Sequence, residues 1–300
     1  MAQPAIDNSV YPIGLREFKL FRSLVHERTG IWLRDGKQVM LASRLSRRLR
    51  FHGLANFAEY YAYVQKVQDN GDEMRQLINC VTTNKTSFFR ERHHFEFLSN
   101  MVVPRIQSAT LRGAAKTIRI WSAACSTGEE AYSIAITLLE SLQAQQPRRS
   151  AFAASPGAWK IEIVASDIDT AVLDTARRAV YKADSLATVD TALQRKYFLR
   201  GTGNMEGYVK VKPEVSRFVE FKNINLMDSR WPLDGLFDVI FFRNALIYFK
   251  RETQDVFLRR MAQHLMRGGY LILGNAEHIP WLQDILAPLT QTMYQLRDTE

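Results

Sequence analysis

Two cysteines in 300 residues, Cys80 and Cys125, are too few for a disulfide framework and have no spacing that would hold zinc. Both read as reduced thiols, and no metal site is expected. Every apolar run is interrupted by charge before the ~20 residues that a bilayer span needs, and the opening MAQPAIDNSV has no basic stretch followed by an apolar one. The expectation is a cytoplasmic protein with no membrane insertion. Internal repeats and low-complexity tracts are absent, which excludes solenoids and disordered linkers. Acid is missing between Gly36 and Glu59, a stretch that instead carries Lys37, Arg44, Arg47, Arg48 and Arg50.

What is present is an ordinary globular composition, 46% hydrophobic and 24% charged, so most of the chain should fold. The length suits a small domain plus a large one. A net charge of +9 asks for an acidic partner, which nucleic acid, anionic lipid or an acidic protein surface could each provide. From Ile13 to about Val81 the apolar spacing is helical: Phe18, Phe21, Leu24 and Val25, then Phe57, Tyr60, Tyr61 and Val64. After the polar run Thr82 to Ser87, β-branched runs alternate with helical stretches. Strands are predicted at Thr117 to Trp121, Ile161 to Ser166, Phe218 to Lys222, Phe237 to Phe242 and Tyr270 to Gly274. Helices are predicted at Glu129 to Leu142, Thr170 to Val180 and Thr253 to Met266. Successive βα units imply a parallel sheet with helices on both faces and a ligand site beyond the carboxyl ends of the strands. Two insertions break the pattern: a loop over Gln143 to Ala158, and two short β-prone runs from Tyr197 to Val211 flanking Gly201 and Gly203, which suggest a hairpin.

The first strand leads into a helix through Trp121-Ser-Ala-Ala-Cys-Ser-Thr-Gly-Glu-Glu130, whose single glycine and two first-turn glutamates disfavour a pyrophosphate and welcome a cation. Glutamates there also complement the helix dipole, by about 0.3 to 1 kcal/mol each. The next strand ends Ala165-Ser-Asp-Ile-Asp169, an acid where α/β folds hold ribose hydroxyls. Acids at adjacent strand ends suit a positively charged nucleoside such as S-adenosylmethionine.

Those segments, the run Thr82-Thr-Asn-Lys-Thr-Ser-Phe-Phe-Arg90, Asn225-Leu226 and Phe242-Arg-Asn-Ala-Leu-Ile-Tyr-Phe249 together resemble the CheR-type chemotaxis receptor methyltransferases, in order and over most of the chain. The resemblance implies an α/β, Rossmann-like methyltransferase sheet with a small all-α N-terminal domain and a small antiparallel β insertion. Its expected divisions are a helical substrate-docking domain 1–81, a linker 82–92 that contributes to the donor pocket, and a methyltransferase domain 93–300 with the β insertion at about 195–217. It implies a pocket for S-adenosylmethionine, with S-adenosylhomocysteine as product, made by Asn84, Thr86, Arg90, Glu130, Asp167, Asn225, Leu226, Arg243 and Asn244. It also implies that Arg90 and Tyr248 hold a receptor glutamate near the methyl group. An ionised glutamate needs no general base, so the catalytic contribution would be alignment.

On a helix, Lys37, Arg44, Arg47 and Arg48 share one arc beside Leu41, Leu45 and Leu49. The resemblance makes this basic face, with Arg44, Arg47 and Arg48, the dock for the acidic cytoplasmic helical bundle of a methyl-accepting chemotaxis receptor. It makes the Gly201 and Gly203 hairpin a place where, in some members, a receptor tail peptide adds as a strand. A monomer suffices. Asn275 and Ala276 replace the usual histidine and serine, and Arg267 a usual proline, so no role is assigned there. The rivals are a nucleic-acid methyltransferase and a non-catalytic receptor-binding adaptor. The first lacks an Asn-Pro-Pro-Tyr run and a Pro-Cys nucleophile, and the second would have an eroded donor pocket.

Overall fold

The computed structural model describes residues 10–67, 71–110, 116–144 and 159–298. They form two compact units. One is the N-terminal part to Thr83 with the short segments Asn225–Ser229 and Tyr248–Lys250; the other is the remainder.

The smaller unit holds α1 (Leu15–Thr29), α2 (Gln38–His52), α3 (Phe57–Lys66) and α4 (Asp72–Val81). Gly30 and Gly53 end the first two helices in left-handed conformations, and the Asn56 side chain caps α3 by accepting from the Glu59 N–H at 2.9 Å. The helical periodicity becomes the core: Phe18, Phe21, Leu41, Leu45, Leu49, Phe57, Tyr60 and Leu77 are almost wholly buried. The Phe21 ring stacks on Tyr60 with centroids 5.7 Å apart.

The basic arc of α2 is not uniformly turned to solvent. Arg48 stands seven residues after Leu41, about 20° from it on the helical wheel, and so faces inward. Its Nε donates to Glu73 Oε1 at 2.9 Å and its Nη2 to Glu73 Oε2, while Tyr60 donates its hydroxyl to the same carboxylate at 2.7 Å and His52 Nε2 lies 2.8 Å from it. Burial alone would raise the Glu73 pKa, but Arg48, Tyr60 and His52 hold it below the usual carboxylate range. Arg44 donates to the carbonyls of Val81 and Thr82 and to Thr83 Oγ1, closing the C-terminus of α4. Arg47 is exposed, its guanidinium 3.7 Å from Cys80 Sγ.

The larger unit begins with α5 (His93–Phe97), a single π turn over Leu98–Val102, and α6 (Val103–Thr110). There follow β1 (Thr117–Ala123), α7 (Glu129–Ala144), β2 (Lys160–Asp167), α8 (Thr170–Arg178), β3 (Val180–Lys182), α9 (Thr191–Tyr197), β4 (Phe198–Arg200), β5 (Tyr208–Val211), α10 (Pro213–Ser216) and β6 (Val219–Asn223). The chain ends with β7 (Phe237–Phe242), α11 (Arg251–Gln263), β8 (Leu265–Leu273), β9 (Leu286–Pro288) and β10 (Met293–Leu296). Seven strands make one sheet in the order β6-β2-β1-β7-β8-β10-β9, parallel from β6 to β8. The five parallel strands are the five expected. The sheet is nonetheless mixed, because β10 pairs antiparallel with both β8 and β9. Two short runs after Leu282, one containing Pro288 as an edge strand tolerates, supply the difference.

A separate antiparallel sheet runs β3-β5-β4. The expected hairpin is β4 with β5, and the third strand comes from Val180–Lys182, ahead of the segment around 195–217. Gly201 serves the hairpin itself: a Cβ there would stand 2.0 Å from the Met205 carbonyl oxygen. Of the loop expected from Gln143 to Ala158, Gln143 and Ala144 continue α7, and residues 145–158 lie outside those described.

Replacing Glu73 by Ala should lower the unfolding free energy by about 3 kcal/mol or more, because it strands a buried arginine without its counter-charge. Urea denaturation followed by helical circular dichroism checks this, with Glu73→Gln expected to cost less.

Candidate active site

The carboxyl ends of the adjacent parallel strands β2, β1, β7 and β8 gather acids. Asp167, Asp169, Glu129, Glu130 and Glu277 are all buried there, and so is one cation, Arg243. The local backbone is unusual as well. Phe89, Glu91, Ala124, Ser126 and Asn244 have φ between 51° and 59°, the left-handed region that side chains with a Cβ rarely adopt. Strain of this kind is kept only where the surroundings enforce it. Gly128, the one glycine of the β1–α7 loop, has φ 93°, and a Cβ on it would meet Ala176 Cβ at 2.8 Å. It therefore permits helix packing rather than phosphate approach.

At the end of β2, Asp167 accepts from the Ser126 N–H at 2.8 Å on one oxygen and from the Asp169 N–H at 3.0 Å on the other. Burial pushes its pKa up to about 6, against the opposing effect of those N–H groups. Each oxygen retains acceptor capacity for a further donor. Asp169 caps α8, accepting from the Ala171 and Val172 N–H groups on Oδ1, and takes the Asn84 amide on Oδ2 at 2.7 Å. The Asn84 carbonyl in turn accepts from Ser126 Oγ at 2.9 Å. Asn84 thus ties the start of the 84–92 run to the ends of both β1 and β2.

The two glutamates of the first turn of α7 diverge. Glu129 accepts from Thr127 Oγ1 at 2.6 Å, and burial raises its pKa. Glu130 accepts from Ser122 Oγ at 2.6 Å and from Arg243 Nη1 at 2.8 Å. The other terminal nitrogen of Arg243 donates to the Arg90 carbonyl and, at 3.0 Å, to Glu91 Oε2. The buried Nε of Arg243 has no hydrogen-bond partner. Glu91 also accepts from the Asn244 amide at 3.1 Å; burial alone would raise its pKa, yet Arg243 and Asn244 keep it below the ordinary range. Glu277 accepts from the N–H groups of Asn244 at 2.8 Å and Gly274 at 2.7 Å, joining the ends of β7 and β8. Gly274 is needed for this closeness, since a Cβ there would lie 2.4 Å from Asn244 Nδ2.

The structure therefore brings Asn84, Glu130, Asp167, Arg243 and Asn244 to one set of strand ends, with Thr86 and Arg90 in the run that Asn84 begins. The Arg90 side chain is 37% exposed and donates to the Lys85 carbonyl at 3.0 Å. Asn225, Leu226 and Tyr248 pack with the helical unit, as do Arg44, Arg47 and Arg48. The Asn225 amide donates to the Arg28 carbonyl at 2.7 Å. Gly201 and Gly203 lie apart, in the connection between β4 and β5 of the antiparallel sheet. Sequence reasoning missed Glu91, Asp169, Ser126 and Glu277 as parts of this network. Asp169 was legible as a helix cap two residues past a strand, whereas Glu91 and Glu277 carried no signal for this network because the residues they tie into it, Arg243 and Asn244, are more than thirty residues away. Cys125 is buried, with burial raising its thiol pKa further, which makes it inert as a nucleophile. Among the described residues no cluster of His, Cys, Asp and Glu could hold a metal ion, and no helix is long and apolar enough to cross a membrane.

An electronegative cluster at the strand ends, with an arginine at its rim, fits the charges of S-adenosylmethionine: a sulfonium and an ammonium against one carboxylate. Comparison with known proteins agrees. The family description "CheR methyltransferase, all-alpha domain" matches residues 16–82, and "CheR methyltransferase, SAM binding domain" matches residues 84–295. The chain is 39% identical to Chemotaxis protein methyltransferase 2 of Pseudomonas aeruginosa over 97% of its own length and 96% of the relative's. It is 40% identical to the chemotaxis protein methyltransferase of Salmonella typhimurium, covering 93% and 89% of the two chains. The corresponding protein of Escherichia coli is 39% identical, covering 93% and 90%. With both domains matched in order and the acidic strand ends in place, the chain belongs to the CheR methyltransferase family and is an S-adenosylmethionine-dependent methyltransferase.

Proposed function

We propose that the protein transfers a methyl group to glutamate carboxylates of methyl-accepting chemotaxis receptors, tuning chemotactic adaptation. The observation that carries this reading is the near full-length correspondence with relatives named chemotaxis protein methyltransferases. The electronegative donor site supports it.

Bound S-adenosylmethionine supplies an electrophilic methyl carbon and leaves as S-adenosylhomocysteine. Asp167 accepts from the ribose hydroxyls with the lone pairs that Ser126 and Asp169 leave open. Arg90 pairs with the donor's carboxylate, Asn225 and Leu226 read and pack the adenine, and Asn84 with Thr86 frames the pocket wall. Glu130, Arg243 and Asn244 give the site its charge and hold it in place. The acceptor glutamate is already ionised at neutral pH, so no group on the chain has to remove a proton. Arg90 and Tyr248 orient it, and the rate comes from alignment of oxygen, carbon and sulfur rather than from acid–base chemistry. Too tight a bond from Arg90 would dull the nucleophile, so Tyr248, a neutral donor, is the gentler positioner.

On the helical unit, Arg47 with Arg44 meets the acidic helical bundle of the receptor, while Arg48, placed on the same face by the sequence, is engaged inwardly by Glu73. The internal partners of Arg44 and Arg48 fix that face's shape, and Arg47 supplies its most open charge. Complementary charge of this kind raises encounter rate and selects partners. In the antiparallel sheet β3 and β4 are the edges, and β4, which leads into the connection that carries Gly201 and Gly203, is where a receptor tail adds as a further strand. The enzyme acts as a cytoplasmic monomer.

The direct test is incubation with methyl-labelled S-adenosylmethionine and receptor-containing membranes, followed by mild base and capture of volatile methanol. Base-labile label on the receptor is expected; donor binding with no such label would overturn the assignment and make nucleic acid the next acceptor to try. Donor affinity should also depend on pH in a defined sense. The raised pKa of Asp167 means that its carboxylate protonates as pH falls through about 6, so donor binding at pH 5 should be about tenfold weaker than at pH 7. Calorimetric titration across that range checks this, and Asp167→Asn should bind weakly and without the pH dependence.

A further inference from the structure

The last turn of α1 and the connector after it touch two segments that arrive from far along the chain. The Arg28 carbonyl accepts the Asn225 amide, and four residues on the Trp32 N–H donates to the Tyr248 carbonyl at 2.7 Å. Between these contacts Ile31 and Phe249 face each other as an antiparallel bridge. The Trp32 ring adds a second hold. Lys250 Nζ lies 3.6 Å from its centroid and the Arg22 guanidinium carbon 4.6 Å away, with Arg22 itself tied to Asp35 at 2.7 Å. His26 meets the ring edge-on at 5.3 Å, and burial, then Lys250, lowers its pKa, so no third positive charge is added at neutral pH. Two residues on either side of Phe249, Tyr248 and Lys250, are thus both fixed by Trp32, one through its backbone and the other through its ring.

We propose that Trp32 is a positioning residue for methyl transfer, setting where the Tyr248 hydroxyl stands. This rests on the reading of Tyr248 as the residue that orients the acceptor. Tyr248 closes a single 3₁₀ turn, Leu246–Tyr248, in which Leu246 is buried but Ile247 is exposed and Tyr248, Phe249 and Lys250 are only half-buried, so the far end of the turn relies on its contacts with Trp32. A tyrosine side chain has two rotatable bonds, and the placement of its backbone therefore decides where its hydroxyl reaches. The cation–π contact with Lys250 and the hydrogen bond to Tyr248 restrain that backbone.

The test uses the full-length protein with receptor-containing membranes and methyl-labelled donor, comparing Trp32→Leu, Trp32→Phe, Lys250→Met, Lys250→Arg and Tyr248→Phe. Trp32→Leu and Lys250→Met should each lower kcat by about tenfold, within the hundredfold that a displacement of about 1 Å can cost. Donor Kd should stay unchanged. Trp32→Phe and Lys250→Arg, which keep a ring and a cation, should recover most of the loss. Because Trp32 acts through Tyr248, the double variant of Trp32→Leu with Tyr248→Phe should be no slower than Tyr248→Phe alone. An unchanged kcat in both Trp32→Leu and Lys250→Met, an equal loss of donor affinity, or fully multiplicative losses in the double variant would overturn the proposal. If Tyr248→Phe alone keeps the parent kcat, the reading of Tyr248 itself fails and the proposal falls with it. Should Trp32→Leu not fold, Lys250→Met and its double with Tyr248→Phe decide the question in the same way.

Discussion

Arg243 is buried to the last one per cent of its side chain, and a guanidinium so far from water must be paired or the fold loses several kcal/mol. Its partners come from two segments: Glu130 at the start of α7, and Glu91 with the adjoining Arg90 carbonyl in the run after Asn84. One cation therefore fixes the end of β7, the first turn of α7 and the segment that carries Arg90. Two further clasps extend this frame. Asn84 joins Asp169 to Ser126, and Glu277 joins Asn244 to Gly274. The left-handed residues Phe89, Glu91, Ala124, Ser126 and Asn244 are the backbone cost of turning these segments toward one another, and the network of charged hydrogen bonds holds them there.

Most of the fold was legible because its signals are local. The apolar spacing of Phe18, Phe21, Leu24 and Val25 marks a helix with one buried face. The run from Phe237 to Phe242 marks a strand buried on both faces, and its ends are as expected. Where reading and structure differ, the deciding contacts are distant in sequence. The strands β9 and β10 are short, and exist because β8 offers an edge to β10, which in turn offers one to β9. The strand β3 is three residues long and is defined by its pairing with β5. At Leu265 a helical pattern gives way to a strand because Gly269 allows the backbone close to the carbonyls of Phe237 and Asp238.

The site was legible in part for the same reason. Acids after strands can be read from the chain, so Asp167 and Glu130 stood out. Which acid is engaged internally cannot, and that is where the structure adds most: Asp169 takes the Asn84 amide, Glu130 and Glu91 take Arg243, and Asp167 keeps lone pairs open. The basic arc of α2 teaches the same lesson, since Arg48 looks like its neighbours in sequence but faces Glu73. Composition pointed to an acidic partner without naming one, and the choice among nucleic acid, lipid and protein came from ordered motifs across the chain.

The central claim is that the ion pairs of Arg243 preorganise the donor site, and the affinity of S-adenosylhomocysteine for Glu91→Gln tests it most directly, because Glu91 is assigned no contact with the donor. If the claim holds, this near-isosteric change weakens binding by about tenfold, the factor that about 1.4 kcal/mol represents, while the far-ultraviolet circular dichroism spectrum stays that of the parent. An unchanged affinity in a folded Glu91→Gln protein would contradict it, and would leave the Arg243 network as scaffolding that the donor does not feel.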